Sequence, residues 1–230
     1  MMNKYLFFDI ECADGYKICA FGYIVTDLKF KILSQEDIKI NPKVKVLPTG
    51  RNPDDKFKLG YRDADFVGEQ TFDSKYEIIK NILENNDYIV VGHSVKSDCG
   101  YLKMACIDYK LKNVNFTAID IQKVYQIHKK DNHKSNLGKI GQDLKVEYKE
   151  DEHTALSGAT FTMECFKALH YKIGFDSIAM INEKKYTTSS IPEVKSKKER
   201  KIHSSYTIGE ILSIVICLNY LDAFFYIVWG

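Results

Sequence analysis

The sequence predicts an α/β fold: a mixed sheet, with an antiparallel hairpin beside parallel strands, flanked by helices. Three observations lead there. The first 40 or so residues hold strand-like apolar runs in direct succession, separated by turn-forming residues. The stretch that follows alternates short apolar runs with capped helical patterns, as strand–helix–strand units do. The 230 residues include enough aliphatic and aromatic side chains for one core with appendages, which argues against wholesale disorder.

Residues 5–8 form a short apolar run ending at Asp9-Ile10-Glu11, which reads as a buried strand with carboxylates at its C-terminal end. A second strand is expected over residues 18–26, and a turn at Asp27-Leu28-Lys29 leads into a third over 31–40. Residues 41–68, with Pro42, Pro48 and Pro53, read as a long surface loop. Ser74 suits an N-cap with Glu77 three residues on, and Tyr76, Ile79, Ile82 and Leu83 give the following helix an apolar face. Residues 88–91 read as a buried strand, and Ser97 or Asp98 opens a helix carrying Tyr101, Leu102, Ala105 and Cys106 on one face. A strand at 116–121 is followed by a helix with Val124 and Ile127, then by one begun at Ser135 or Asn136. The longest helical pattern covers 153–171, with Ala155, Ala159, Met163, Phe166 and Leu169 or His170 inward.

This organisation predicts a principal domain over 1–172, a Ser/Thr/Lys-rich basic linker over 173–205 and a hydrophobic tail over 206–230. The basic cluster Lys195, Lys197, Lys198, Arg200 and Lys201 reads as a solvated linker, with a phosphate-contacting arm as the alternative. Residues 211–229 are near the minimum length for a bilayer span, but Asn219 and Asp222 interrupt them, so the role of the tail stays open. The net charge of +2 neither requires nor forbids a nucleic-acid partner. None of the six cysteines forms a CxxC pair, and no Cys/His spacing reads as a zinc site. Reduced, buried thiols are expected, and with the short, acidic N-terminal run this points to a cytoplasmic protein.

Three segments carry chemistry. In Phe8-Asp9-Ile10-Glu11-Cys12 the two acids lie two apart on a strand and share a face, where they repel unless a cation lies between them. By itself D-x-E reads equally as two solvated acids at a strand end. In Val91-Gly92-His93-Ser94-Val95-Lys96-Ser97-Asp98, a strand runs through a loop into a helix, and Asp98 suits a cap as well as a ligand. In Asp151-Glu152-His153-Thr154-Ala155-Leu156-Ser157-Gly158-Ala159, a histidine at a helix mouth suits a general base near neutrality.

In order and spacing these segments resemble the DEDDh, or DnaQ-like, 3′→5′ exonucleases, which carry D-x-E, then H-N-x-x-x-D, then H-x-A-x-x-D-A. The resemblance covers about residues 3–171. It implies a ribonuclease H-like fold and a two-ion site for Mg²⁺ or Mn²⁺, with Asp9, Glu11 and Asp98 as metal ligands and His153 as the base. It also implies that Ile10, Cys12, His93 and Ser94 border the substrate, a single-stranded DNA or RNA 3′ end. Two positions depart from the pattern. Ser94 stands for the middle Asn and still offers a hydrogen bond. Gly158 stands where the fourth metal-binding carboxylate belongs, and neither Asp151, Glu152 nor Glu164 occupies that position. Glycine in a helix interior costs roughly 1 kcal/mol relative to Ala, so the sequence reads Gly158 as a loss that impairs cleavage. The alternative is a weak or inactive nuclease-derived module that binds nucleic acid.

Overall fold

A computed structural model describes residues 4–47, 58–147 and 153–187, with side chains as far as residue 178. Strands β1 (Lys4–Cys12), β2 (Ile18–Asp27) and β3 (Ile32–Lys39) come first. They are followed by α1 (Phe72–Leu83), β4 (Tyr88–Gly92), α2 (Val95–Asp108), β5 (Asn115–Asp120), α3 (Ile121–Lys129), α4 (Leu137–Leu144), α5 (Ala155–Ile173), α6 (Phe175–Asn182) and β6 (Glu183–Thr187). The sheet order is β3-β2-β1-β4-β5-β6. β1, β4 and β5 are parallel, while β2, β3 and β6 are antiparallel to their neighbours, so the mixed ribonuclease H-like sheet expected from the sequence is the one observed.

Alternation along β1 assigns its two faces. Leu6, Phe8, Ile10 and Cys12 join a core layer with Tyr76 and Ile79 of α1 and Cys99 and Leu102 of α2. Tyr5 and Phe7 join the opposite layer with Ile140 of α4 and Phe166 and Leu169 of α5. Asp9 and Glu11 continue that second face towards the strand end, under α5.

Several boundaries differ from the sequence reading. α1 begins at Phe72 behind Thr71, not at Ser74, because buried Phe72 anchors the first turn. α2 begins at Val95 behind Ser94, so Asp98 lies within the first turn and is not the cap. Ile127 is half exposed, and Val124 and Tyr125 face the core instead. The described parts of the 41–68 segment are more than surface loop: Val46, Leu59, Tyr61 and Phe66 form a small buried cluster with Ala13, Cys19, Ala20 and Ala155. Past the expected boundary at 172, Gly174 ends α5 with φ +79° and the chain continues into α6 and β6. Ile178 of α6 is fully buried and β6 pairs with β5, so the sheet extends into the expected linker. The chain divides into units 1–191 and 192–230.

The basic cluster, the 211–229 tail, Cys217, Asp151 and Glu152 lie outside the described residues. Among the described residues the five cysteines are free and buried. No helix among them is long and apolar enough to cross a membrane.

Candidate active site

The three parallel strands end at one edge of the sheet, the edge where α/β sheets form their ligand crevices. β1 brings Asp9 and Glu11 there, the β4–α2 connection brings Ser94 and Asp98, and β5 brings Asp120. Asp98 is only 5% exposed, and its Oδ2 is buried without a hydrogen-bond partner. Its carboxyl is held well above the usual range by burial first, then by the charges of Asp9, Glu11 and Asp120. Burial raises Asp9 to about 7, against a small opposing effect from the Ile10 amide. Glu11 is raised by burial and by the charges of Asp9 and Asp37. Although α2 packs in the layer opposite α5, its first turn therefore brings Asp98 into electrostatic reach of both β1 acids.

The seat of α5 explains the rest. Across the sheet Asp9 pairs with Gly22, and Gly22 with Asp37, so these three share one row and one face. The first turn of α5 rests on Gly22: a Cβ there would lie 2.1 Å from the Ala155 carbonyl carbon and 2.2 Å from the Leu156 nitrogen. One turn later Gly158 passes over Asp9. A Cβ at Gly158 would meet Asp9 Oδ2 at 2.1 Å, Cγ at 2.7 Å and Cβ at 3.2 Å. The Asp9 carboxylate occupies the space of a side chain at 158, and glycine leaves it that room.

His153 is half-buried just before the α5 cap, Thr154. Its backbone is pinned to the 58–60 segment, its N–H donating to the Lys58 carbonyl at 2.9 Å and its carbonyl accepting from the Gly60 N–H at 2.7 Å.

Of the four residues expected to border the substrate, Ser94 stands at the same sheet edge as the acids. Ile10 and Cys12 are buried in the α1/α2 layer. The His93 ring turns instead towards Ser135, with Nε2 3.2 Å from the Ser135 carbonyl and 3.4 Å from Gln122 Nε2, and burial lowers its pKa. Ser94 is in the left-handed region, φ 56°, where its N–H donates to Asp120 Oδ1 at 3.0 Å and its Oγ lies 3.1 Å from Ser97 Oγ.

The donor chemistry suits a hard divalent cation: three carboxylates, all burdened by burial, one with an orphaned oxygen. In their present positions they are close enough to repel, but among the described residues no three acidic, His or Cys side chains gather as a ready ligand set.

Sequence reasoning missed three residues around this site. Asp120, at a strand end before a helix, carried a readable capping signal. Asp37 and Tyr61 carried none, because their partners lie far along the chain.

The family model for the C-terminal domain of DNA polymerase III subunit epsilon-like DEDDh proteins matches residues 60–169. That match covers just under half of the chain and agrees with the resemblance to the DEDDh, DnaQ-like family. Among solved structures it resembles the nuclease domain of 3'hExo, a DEDDh family member, bound to rAMP, with a TM-score of 0.61 at 14% identity, covering 75% of this chain and 94% of that one. It resembles a 3'-exonuclease that recognises the histone mRNA stem-loop, with a TM-score of 0.63 at 13% identity, covering 85% of this chain and 74% of that one. It also resembles E. coli exonuclease I in complex with a dT13 oligonucleotide, with a TM-score of 0.51 at 13% identity, covering 73% of this chain and 41% of that one. At such identities the likeness is one of fold. No curated protein matches this chain by sequence.

Proposed function

We propose that this protein is a metal-dependent 3′→5′ exonuclease of the DEDDh type acting on single-stranded nucleic-acid ends, slowed by the lack of a fourth carboxylate at Gly158. The observation that carries the reading is the set of three mutually repelling carboxyls at the carboxyl edge of the parallel strands, with an unpartnered oxygen on Asp98. Asp9, Glu11 and Asp98 would hold Mg²⁺ or Mn²⁺, and their number favours one firmly held ion over two. When bound, such an ion polarises the scissile phosphate and lowers the pKa of the attacking water. His153 would accept that water's proton, from a backbone position pinned on both sides. The nucleic acids named for the neighbours, rAMP, a stem-loop RNA and dT13, support a nucleic-acid substrate without choosing DNA or RNA.

Gly158 favours a second reading, a module that binds single strands and turns over slowly or not at all. The deciding experiment measures single-turnover cleavage of labelled single-stranded DNA and RNA in Mg²⁺ and Mn²⁺, for this chain and Gly158→Asp. The new side chain displaces the Asp9 carboxylate from α5 and adds an oxygen, and the rate is expected to rise about 100-fold or more. Equal, measurable rates remove the impairment from the reading. Tight binding with no cleavage by either protein establishes the binding module.

A further inference from the structure

We infer that Asp37 and Tyr61 are positioning residues that set the first turn of α5 and, with it, His153; the inference rests on the exonuclease reading of that site. A helix begins with amide groups that have no partner inside the helix, and each must find one outside. In α5 the first three are met by three different groups. The Ala155 N–H donates to the Tyr61 hydroxyl at 2.8 Å, the Leu156 N–H to Asp37 Oδ1 at 3.2 Å, and the Ser157 N–H to Thr154 Oγ1 at 3.1 Å. Only the third is local. The first two come from a strand and a segment far away in the chain, and they are joined: the Tyr61 hydroxyl lies 2.8 Å from each Asp37 oxygen and donates to that carboxylate.

The same segment also holds the base. Residues 58–60 clasp the His153 backbone in a parallel bridge centred on Leu59, and Tyr61, itself buried, follows at once. His153 and the α5 amides thus hang from one short piece of chain. Asp37 pairs with Gly22, the residue on which α5 rests, and Gly22 pairs with Asp9. The helix mouth is therefore seated between two carboxylates in one row. Asp37 accepts the Leu156 N–H on the outer side, and Asp9 lies beneath Gly158 on the inner side. A negative group at a helix N-terminus is favoured by the helix dipole, which suits a carboxylate for this post. Because a base misplaced by about 1 Å can lose roughly 100-fold in rate, such an anchor bears on catalysis without touching substrate.

Tyr61→Phe is the sharpest probe, since it removes one hydroxyl and keeps the ring that packs on Phe66. Asp37→Asn accompanies it. Amide hydrogen exchange is measured at residues 153–157, and the single-turnover rate and KM are measured in the native and His153→Ala backgrounds. Exchange at these amides is expected to rise about 10-fold in Tyr61→Phe, with the rest of the sheet unchanged, as local opening requires. The rate is expected to fall about 10-fold or more with KM within about 2-fold, and that loss should vanish in the His153→Ala background. An equal loss in both backgrounds, or unchanged exchange at 153–157, overturns the inference. If the native chain does not cleave, the exonuclease reading fails, and exchange alone upholds or overturns the anchor.

Discussion

Two aspartates stand at the same edge of the sheet and are almost equally hidden, Asp98 at 5% exposure and Asp120 at 2%. Their surroundings differ. Asp120 ends β5 and caps α3: its Oδ1 accepts the Gln122 N–H at 3.1 Å and the Ser94 N–H at 3.0 Å, which fixes the left-handed residue that starts α2. Asp98 lies among other acids with a buried oxygen that nothing among the described residues satisfies. A buried carboxylate with backbone donors holds structure together. One without them costs stability and is kept where something outside the fold is to be bound.

The largest expected effect separates the two by activity. Asp98→Asn should lower the single-turnover cleavage rate by about 100-fold or more, a loss of roughly 3 kcal/mol in transition-state stabilisation. Its urea midpoint should stay level or rise, because one repelling charge is removed. A large stability loss without a rate change would reverse the contrast.

Asp120→Ala should do the opposite and destabilise the fold by about 2 kcal/mol, since two amides lose their acceptor. Chemical denaturation reads this directly. An effect no larger than that of a surface substitution would show that Asp120 is no more structural than Asp98.

The pH dependence tests the acids as a group. Asp9, Glu11 and Asp98 all keep their protons to higher pH in the folded chain than in the unfolded one. Between about pH 4, where unfolded carboxyls titrate, and about 7, where burial puts Asp9, the folded state binds more protons than the unfolded state. Stability of the metal-free protein should therefore fall as pH rises through that window, by on the order of 2 kcal/mol. Mn²⁺ added at pH 8 should recover it, and a chelator should abolish the recovery. Thermal melts with and without chelator check both. A metal-free protein that gains stability across this window would mean that the acids are compensated after all.

The smallest effect is Gly158→Ala. Helix propensity gains roughly 1 kcal/mol, and displacing the Asp9 carboxylate gives back a similar amount, so the net should lie within about 1 kcal/mol. Since no oxygen is added, the rate should not rise as it does for Gly158→Asp. A comparable gain from alanine would show that Asp9's position, and not the missing ligand, limits cleavage.

The sequence by itself determined the first five strands, most of the helices and the chemistry-bearing segments. Alternation along 5–11 commits Asp9 and Glu11 to one face, and the Asn136 cap starts α4 where expected, its side chain accepting the Lys139 N–H at 2.8 Å. These signals are local, resting on the period of a strand or the partners of a cap within a few residues. Only the tertiary structure decided what depends on distant chain segments meeting. It extended the sheet through β6, turned His93 towards Ser135, and joined Asp37 and Tyr61 to the mouth of α5. It also gave Gly158 its reason. A missing side chain reads as a loss along the chain, and only the approach of α5 to β1 shows that the Asp9 carboxylate fills the space. Local periodicity fixes which way a side chain faces, whereas what it meets is set by packing between elements that no short window contains.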